Sequence, residues 1–123
     1  MNRVAVSLVD LQPAAALYRA LGEPVRLSIL QHLANGEHRV RDLTDHLGLA
    51  QSTVSAHLAC LRDCGLVDSR PDGRASVYSL RDPGRLTDLL AATDTYLAVT
   101  GSAAAVHDHM TDHHASDGSG DGR

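Results

Sequence analysis

The stretch VRDLTDHLGLAQSTVSAHLACLRDCGLV, residues 40–67, decides the fold. Residues 39–47 read as a short helix stopped by Gly48. A second helix begins at Gln51, after Leu49-Ala50, and runs to Cys64, where Gly65 closes it. Two helices joined by a short turn containing glycine make a helix-turn-helix, whose second member enters the DNA major groove. Along that second helix Val54, Leu58 and Leu61 form the stripe expected to be buried.

Working outward, "LVDSR" and "ASVYSL" are β-prone runs joined by "PDGR", a turn signal that closes a hairpin. A hairpin directly after such a helix pair is a wing. Asp82-Pro83 then supplies a cap and a first-turn proline for a last long helix, with Leu86, Leu89, Leu90, Thr93 and Leu97 along one side. Upstream, Asp10 is placed to cap a first helix with Pro13 in its opening turn and Leu11, Ala14, Leu17, Tyr18 and Leu21 on one side, ended by Gly22. A second helix starts at Pro24 and runs through Val25, Leu27, Ile29, Leu30 and Leu33 to Asn35-Gly36. The expected fold is therefore mainly α with a small β-hairpin, a winged helix-turn-helix in the order α-α-α-α-β-β-α. Its first and last helices lie outside the reading unit, and pairing them across a two-fold axis would cover both and make a dimer. Residues 1–100 form this DNA-binding and dimerisation domain, and residues 101–123 read as a flexible tail rich in His and Asp.

Composition fits a helical core. Of 123 residues 43% are apolar, yet Phe and Trp are absent and Tyr occurs three times, so the core must come from Leu, Val, Ile and Ala. The net charge of −4 argues against a general nucleic-acid or anionic-membrane binder. The excess acid sits mostly in the tail, however, at Asp108, Asp112, Asp117 and Asp121, which leaves room for local basic patches. No basic segment followed by an apolar run opens the chain and no run approaches membrane-spanning length, so a cytoplasmic location without membrane contact is expected.

In a reducing compartment, Cys60 and Cys64 read as free thiols or metal ligands rather than a structural disulfide. Four positions apart on a helix they lie about 40° apart around its axis, so both sulfurs can reach one metal ion. The dull alternative is that they are small apolar fillers. Spacing alone leaves both open.

"LGEPVRLSILQHL", the stretch quoted first, and "GRASVYSL" together resemble the ArsR/SmtB family of winged-helix, metal-sensing repressors, over roughly residues 14–99. The resemblance implies a homodimer that holds double-stranded operator DNA when metal-free and releases it when metal binds. Of the family's alternative metal sites, two are not matched. The third-helix pattern "ELCVCDL" is replaced by "EHRVRDL", with Arg39 and Arg41 at the thiolate positions, and guanidinium cannot donate to a metal. On the last helix Asp82 remains, but Gly84, Thr95 and Ala98 occupy the other ligand positions. The third pattern, CLxxCGL at the end of the recognition helix in cadmium and lead sensors, is matched by Cys60 and Cys64. Those sensors add a cysteine near the C-terminus. Here the corresponding place falls near Ala105, just before "VHDHMTDHH", so His107 or His109 is the expected substitute. Two thiolates with imidazole suit cadmium, lead or zinc.

For DNA contact the candidates are Gln51, Ser52, Thr53 and Ser55 on the first turn of the recognition helix, His57 farther along it, and Arg70 and Arg74 beside the wing turn. Ser52 and Thr53 could instead cap the helix, and the arginines could be solvated hairpin charges. His57 could also be structural. His32, His38 and His46 read as surface or helix-end residues. The function expected is a metal-responsive repressor with no catalytic residues. Two alternatives remain: a sensor of the same fold that uses the cysteines for redox or sulfur species, and a metal-storage or metallochaperone protein using its histidine-rich end.

Overall fold

Proline opens three of the helices. In the computed structural model, which describes residues 7–101, α1 (Gln12–Leu21), α2 (Pro24–Leu33) and α5 (Pro83–Thr100) each carry one in the first turn, where the missing N–H would find no helical partner anyway. Glu23 caps α2 by accepting from the Arg26 N–H at 2.9 Å, and Asp82 caps α5 by accepting from the Arg85 N–H at 3.1 Å. Asp10 does not cap α1. It sits in a turn and accepts from the Ser7 hydroxyl at 2.9 Å, and Leu11 precedes the helix without a side-chain cap. The reason is local: with Asp10 as cap, Pro13 would stand third in the helix and has no N–H to give.

Between α3 (Val40–Leu47) and α4 (Gln51–Asp63) the chain turns at Gly48, whose φ of 68° is left-handed and whose N–H returns to the Thr44 carbonyl at 2.9 Å. A Cβ there would meet nothing, so backbone conformation alone asks for glycine. Val54, Leu58 and Leu61 of α4 are wholly buried, together with Ile29 and Leu30 of α2, Leu43 of α3 and Val67 of the first wing strand. Each such aliphatic side chain contributes roughly 1.5–3 kcal/mol on withdrawal from water.

The wing is β2 (Val67–Asp72) paired antiparallel with β3 (Ala75–Leu80), turning through Gly73 and Arg74, with Gly73 at φ 65°. A third strand, β1 (His38–Arg39), pairs with Tyr78 and Val77 on the other side of β3, giving the order β1-β3-β2. The sequence reading missed it and began the third helix at Arg39. Two residues carry no periodicity, and their partners lie far along the chain. Pro71 stands in β2, where it is tolerated because β2 is an edge strand. Three ion pairs fasten the sheet: Arg39 to Asp72 at 2.8 Å, Arg81 to Asp68 at 2.7 Å, and Arg70 to Glu37. Helix pair and hairpin together make a winged helix-turn-helix.

On α5, Leu86 and Leu90 are buried, Leu89 and Leu97 half-buried and Thr93 exposed. Its far side presents Tyr96, 70% exposed, and Val99, while α1 presents Tyr18, 65% exposed, with Leu8, Val9 and Leu11 just ahead of it. No helix among the described residues is long and apolar enough to cross a membrane.

Candidate functional site

Cys60 and Cys64 sit where α4 ends against α1. Helical hydrogen bonding persists to the cap, with the Cys64 N–H donating to the Cys60 carbonyl at 3.1 Å, so the four-residue spacing keeps both sulfurs on one face. Both thiols are free and half-buried. Cys64 Sγ donates to the Ala16 carbonyl of α1 at 3.7 Å. Burial pushes the Cys64 thiol above its ordinary value. The charge and hydrogen bond of neighbouring Cys60 push the same way, as does Asp63, and Arg19 opposes them. The four-residue spacing thus lets both sulfurs act as a bidentate clip on a soft or borderline ion. Among the described residues no group of three His, Cys, Asp or Glu side chains stands ready to hold a metal ion, so the clip needs donors from elsewhere. His107 and His109, and the whole tail from residue 102, lie outside the described residues.

His57 is on α4 but does not join the cysteines. Its Nδ1 lies 3.2 Å from Arg26 Nη1, and its Nε2 lies 4.0 Å from Glu23. Arginine only donates, so Nδ1 accepts, and the neutral ring carries its proton on Nε2, toward the carboxylate. Arg26 also donates to the Ala20 carbonyl at 2.6 Å and the Arg19 carbonyl at 2.9 Å. His57 therefore tethers α4 to α2 and to the end of α1.

A groove of about 520 Å³ runs between α3, the start of α4 and the wing. Gln51, Ser55 and Arg74, three of the residues expected to touch DNA, line it. Ser52 and Thr53 are exposed on the same first turn, whose cap position is Ala50 with no side-chain hydrogen bond, so neither hydroxyl serves as the cap. Arg70, paired with Glu37, is not among the residues lining the groove; Arg74 has no carboxylate partner among the described residues. The groove adds Arg39 and Arg41, whose only use in the sequence reading was to exclude a metal site. Their basic character was visible, but only the folded sheet brings them opposite Arg74. Guanidinium groups flanking amide and hydroxyl side chains suit an anionic backbone beside base edges.

Residues 23–69 match the family model described as bacterial regulatory protein, arsR family. The protein named "Probable mercury resistance operon repressor" of Streptomyces lividans is 45% identical over 76 residues, 62% of this chain and 60% of that protein, so the similarity spans less than two thirds of that relative. HTH-type transcriptional regulator CmtR of Mycobacterium tuberculosis is 44% identical over 87 residues, 66% of this chain and 74% of that one. Among solved structures, the homodimeric winged helix-turn-helix DNA-binding domain of a possible ArsR-family regulator from Mycobacterium bovis, determined by solution NMR, is similar at 30% identity. Its TM-score is 0.64, over 76% of this chain and 88% of that one.

Proposed function

We propose, for a chain that belongs to the arsR family of bacterial regulatory proteins, that it is a homodimeric repressor which leaves its operator when Cys60 and Cys64 capture a thiophilic divalent ion. The observation that carries this reading is the pair of cysteines four residues apart at the end of the recognition helix, with Cys64 in contact with α1. Gln51, Ser52, Thr53 and Ser55 read base edges, and Arg74 and Arg70 approach phosphate from the wing. His57 supports the recognition helix from behind through Arg26. The outward faces of α1 and α5 pair across the two-fold axis, in keeping with the homodimeric relative.

Cadmium, lead or zinc fits the donor set, with His107 or His109 completing it, and the mercury-related relative adds mercuric ion to those worth testing. Binding takes both thiol protons, so uptake weakens in acid. Full switching asks for about 5.5 kcal/mol of differential affinity, which two sites per dimer can share. Against the redox alternative, two cysteines four residues apart within one helix are poorly placed for an unstrained disulfide.

The test is fluorescence anisotropy on DNA from upstream of the gene, titrated ion by ion. The intact protein is expected to dissociate with at least one of the four ions. Cys60→Ser is expected to bind the operator as the intact protein does and to stay bound when the ion is added. A variant that still lets go refutes the thiolate assignment.

A further inference from the structure

Three histidines unused by this function meet where α2, β1 and α3 come together. His32 lies in the last turn of α2, His38 opens β1 and His46 lies in the last turn of α3. The His32 and His46 ring centroids are 5.1 Å apart, and those of His38 and His46 are 5.8 Å apart. Two of the rings are held by backbone. His32 Nδ1 is 2.8 Å from the Ser28 carbonyl oxygen, and His38 Nδ1 is 2.8 Å from that of Gly36. A carbonyl only accepts, so each Nδ1 carries the proton and each Nε2 keeps a free lone pair. This is the supporting contact that orients metal-ligating histidines. His46 is exposed, and among the described residues no hydrogen bond fixes its ring.

The spacing bears on what the cluster can hold. Two imidazoles sharing one tetrahedral ion, each bound at about 2.1 Å, have ring centroids about 5 Å apart. Both measured separations lie at or a little above that value. A bound ion lies in the plane of each imidazole that holds it, so the stacked His32–His46 pair, at 28°, must open before both rings share one, while the His38–His46 pair already stands edge-on at 78°. The donors do not yet converge. Sharing one ion asks His46 to turn out of the stack and the His32 and His38 rings to approach each other.

We infer that His32, His38 and His46 form a second metal site, for a borderline ion such as Zn²⁺, Ni²⁺ or Cu²⁺. Imidazole donors without thiolate favour these over cadmium, lead and mercuric ion, so the two sites overlap at zinc and part at the softer ions. An ion held here would join the ends of α2 and α3 to the first strand of the sheet, bracing the helix that precedes the recognition helix.

The experiment uses the full chain carrying Cys60→Ser and Cys64→Ser, so that its outcome is independent of the thiolate reading. Imidazole ¹⁵N NMR is followed as Zn²⁺ is added, with His107, His109, His113 and His114 as internal comparison. The Nε2 resonances of His32, His38 and His46 are expected to shift together with a single saturation curve. His46→Gln, at an exposed position, is expected to weaken uptake at the other two by about tenfold or more. The inference is overturned if these three resonances stay in place while the tail histidines shift, or if His32 and His38 respond undiminished in His46→Gln.

Discussion

Ile29, Leu30, Leu43, Val54, Leu58, Leu61 and Val67, which knit α2, α3, α4 and the wing together, are all withdrawn from water. Helix α1 fully buries only Ala20 and leaves Tyr18 in solvent, and α5 buries Leu86 and Leu90 while exposing Tyr96 and Val99. One region has spent its apolar surface on itself; the other still presents it outward. Large exposed apolar side chains such as Tyr18, Tyr96 and Val99 are the kind an association face would cover. The difference teaches where the chain is finished alone and which face the proposed pairing would cover. Cys64 lies on the seam between the regions, its thiol against the Ala16 carbonyl.

The largest effect should come from attacking the closed region. Leu58→Ala empties a site with no exposure and is expected to cost about 2–5 kcal/mol. That is a large share of the roughly 5–15 kcal/mol typical of a domain. Denaturant unfolding reads it directly, and a midpoint unmoved by the change would mean that the reading unit is not the stability core.

The open region should answer differently. Tyr18→Asp combined with Tyr96→Asp is expected to raise the dimer dissociation constant by about tenfold or more, equivalent to about 1.4 kcal/mol, while circular dichroism stays native. Sedimentation equilibrium measures it. Unchanged self-association would show that these faces do not meet each other.

The seam gives the smallest signal. Burial holds the Cys64 thiol above its ordinary value of 9.0, so the folded chain keeps that proton after the unfolded chain has lost it. The resulting stability is fully present below that value and drains away as pH rises through the folded one. Melting curves of metal-free protein are therefore expected to show a steeper alkaline decline than those of Cys64→Ser. Matching declines would mean that the seam is open to water.

What could be read along the chain is what local chemistry determines. Pro24, Asp82-Pro83, Gly48 and the PDGR turn announce themselves because each acts within a few residues of its own position. The spacing of Val54, Leu58 and Leu61, and of the two cysteines, follows from helical periodicity. The missing parts depend on residues brought together from a distance. Strand β1 exists because Tyr78 and Val77 lie beside it, and Arg70 is drawn to Glu37 across the same sheet. Arg39 and Arg41 join the groove only once α3 and the wing face each other. That His57 lies on the recognition helix was legible, but its engagement by Arg26 was not, since that guanidinium comes from another helix. Asp10 was misread for the opposite reason, a local rule overridden by a proline three residues on.

Pro71 has a consequence for the life of the molecule in a crowded cell. A β-ribbon that serves as a wing, as proposed, cannot be roofed over, and a bare strand invites stray chains to add on and build aggregates. Proline on the outer strand withholds a donor from any such newcomer, and the opposite margin is only two residues long, too short to template growth. The ribbon is thereby left uncovered and yet a poor seed for unwanted assembly.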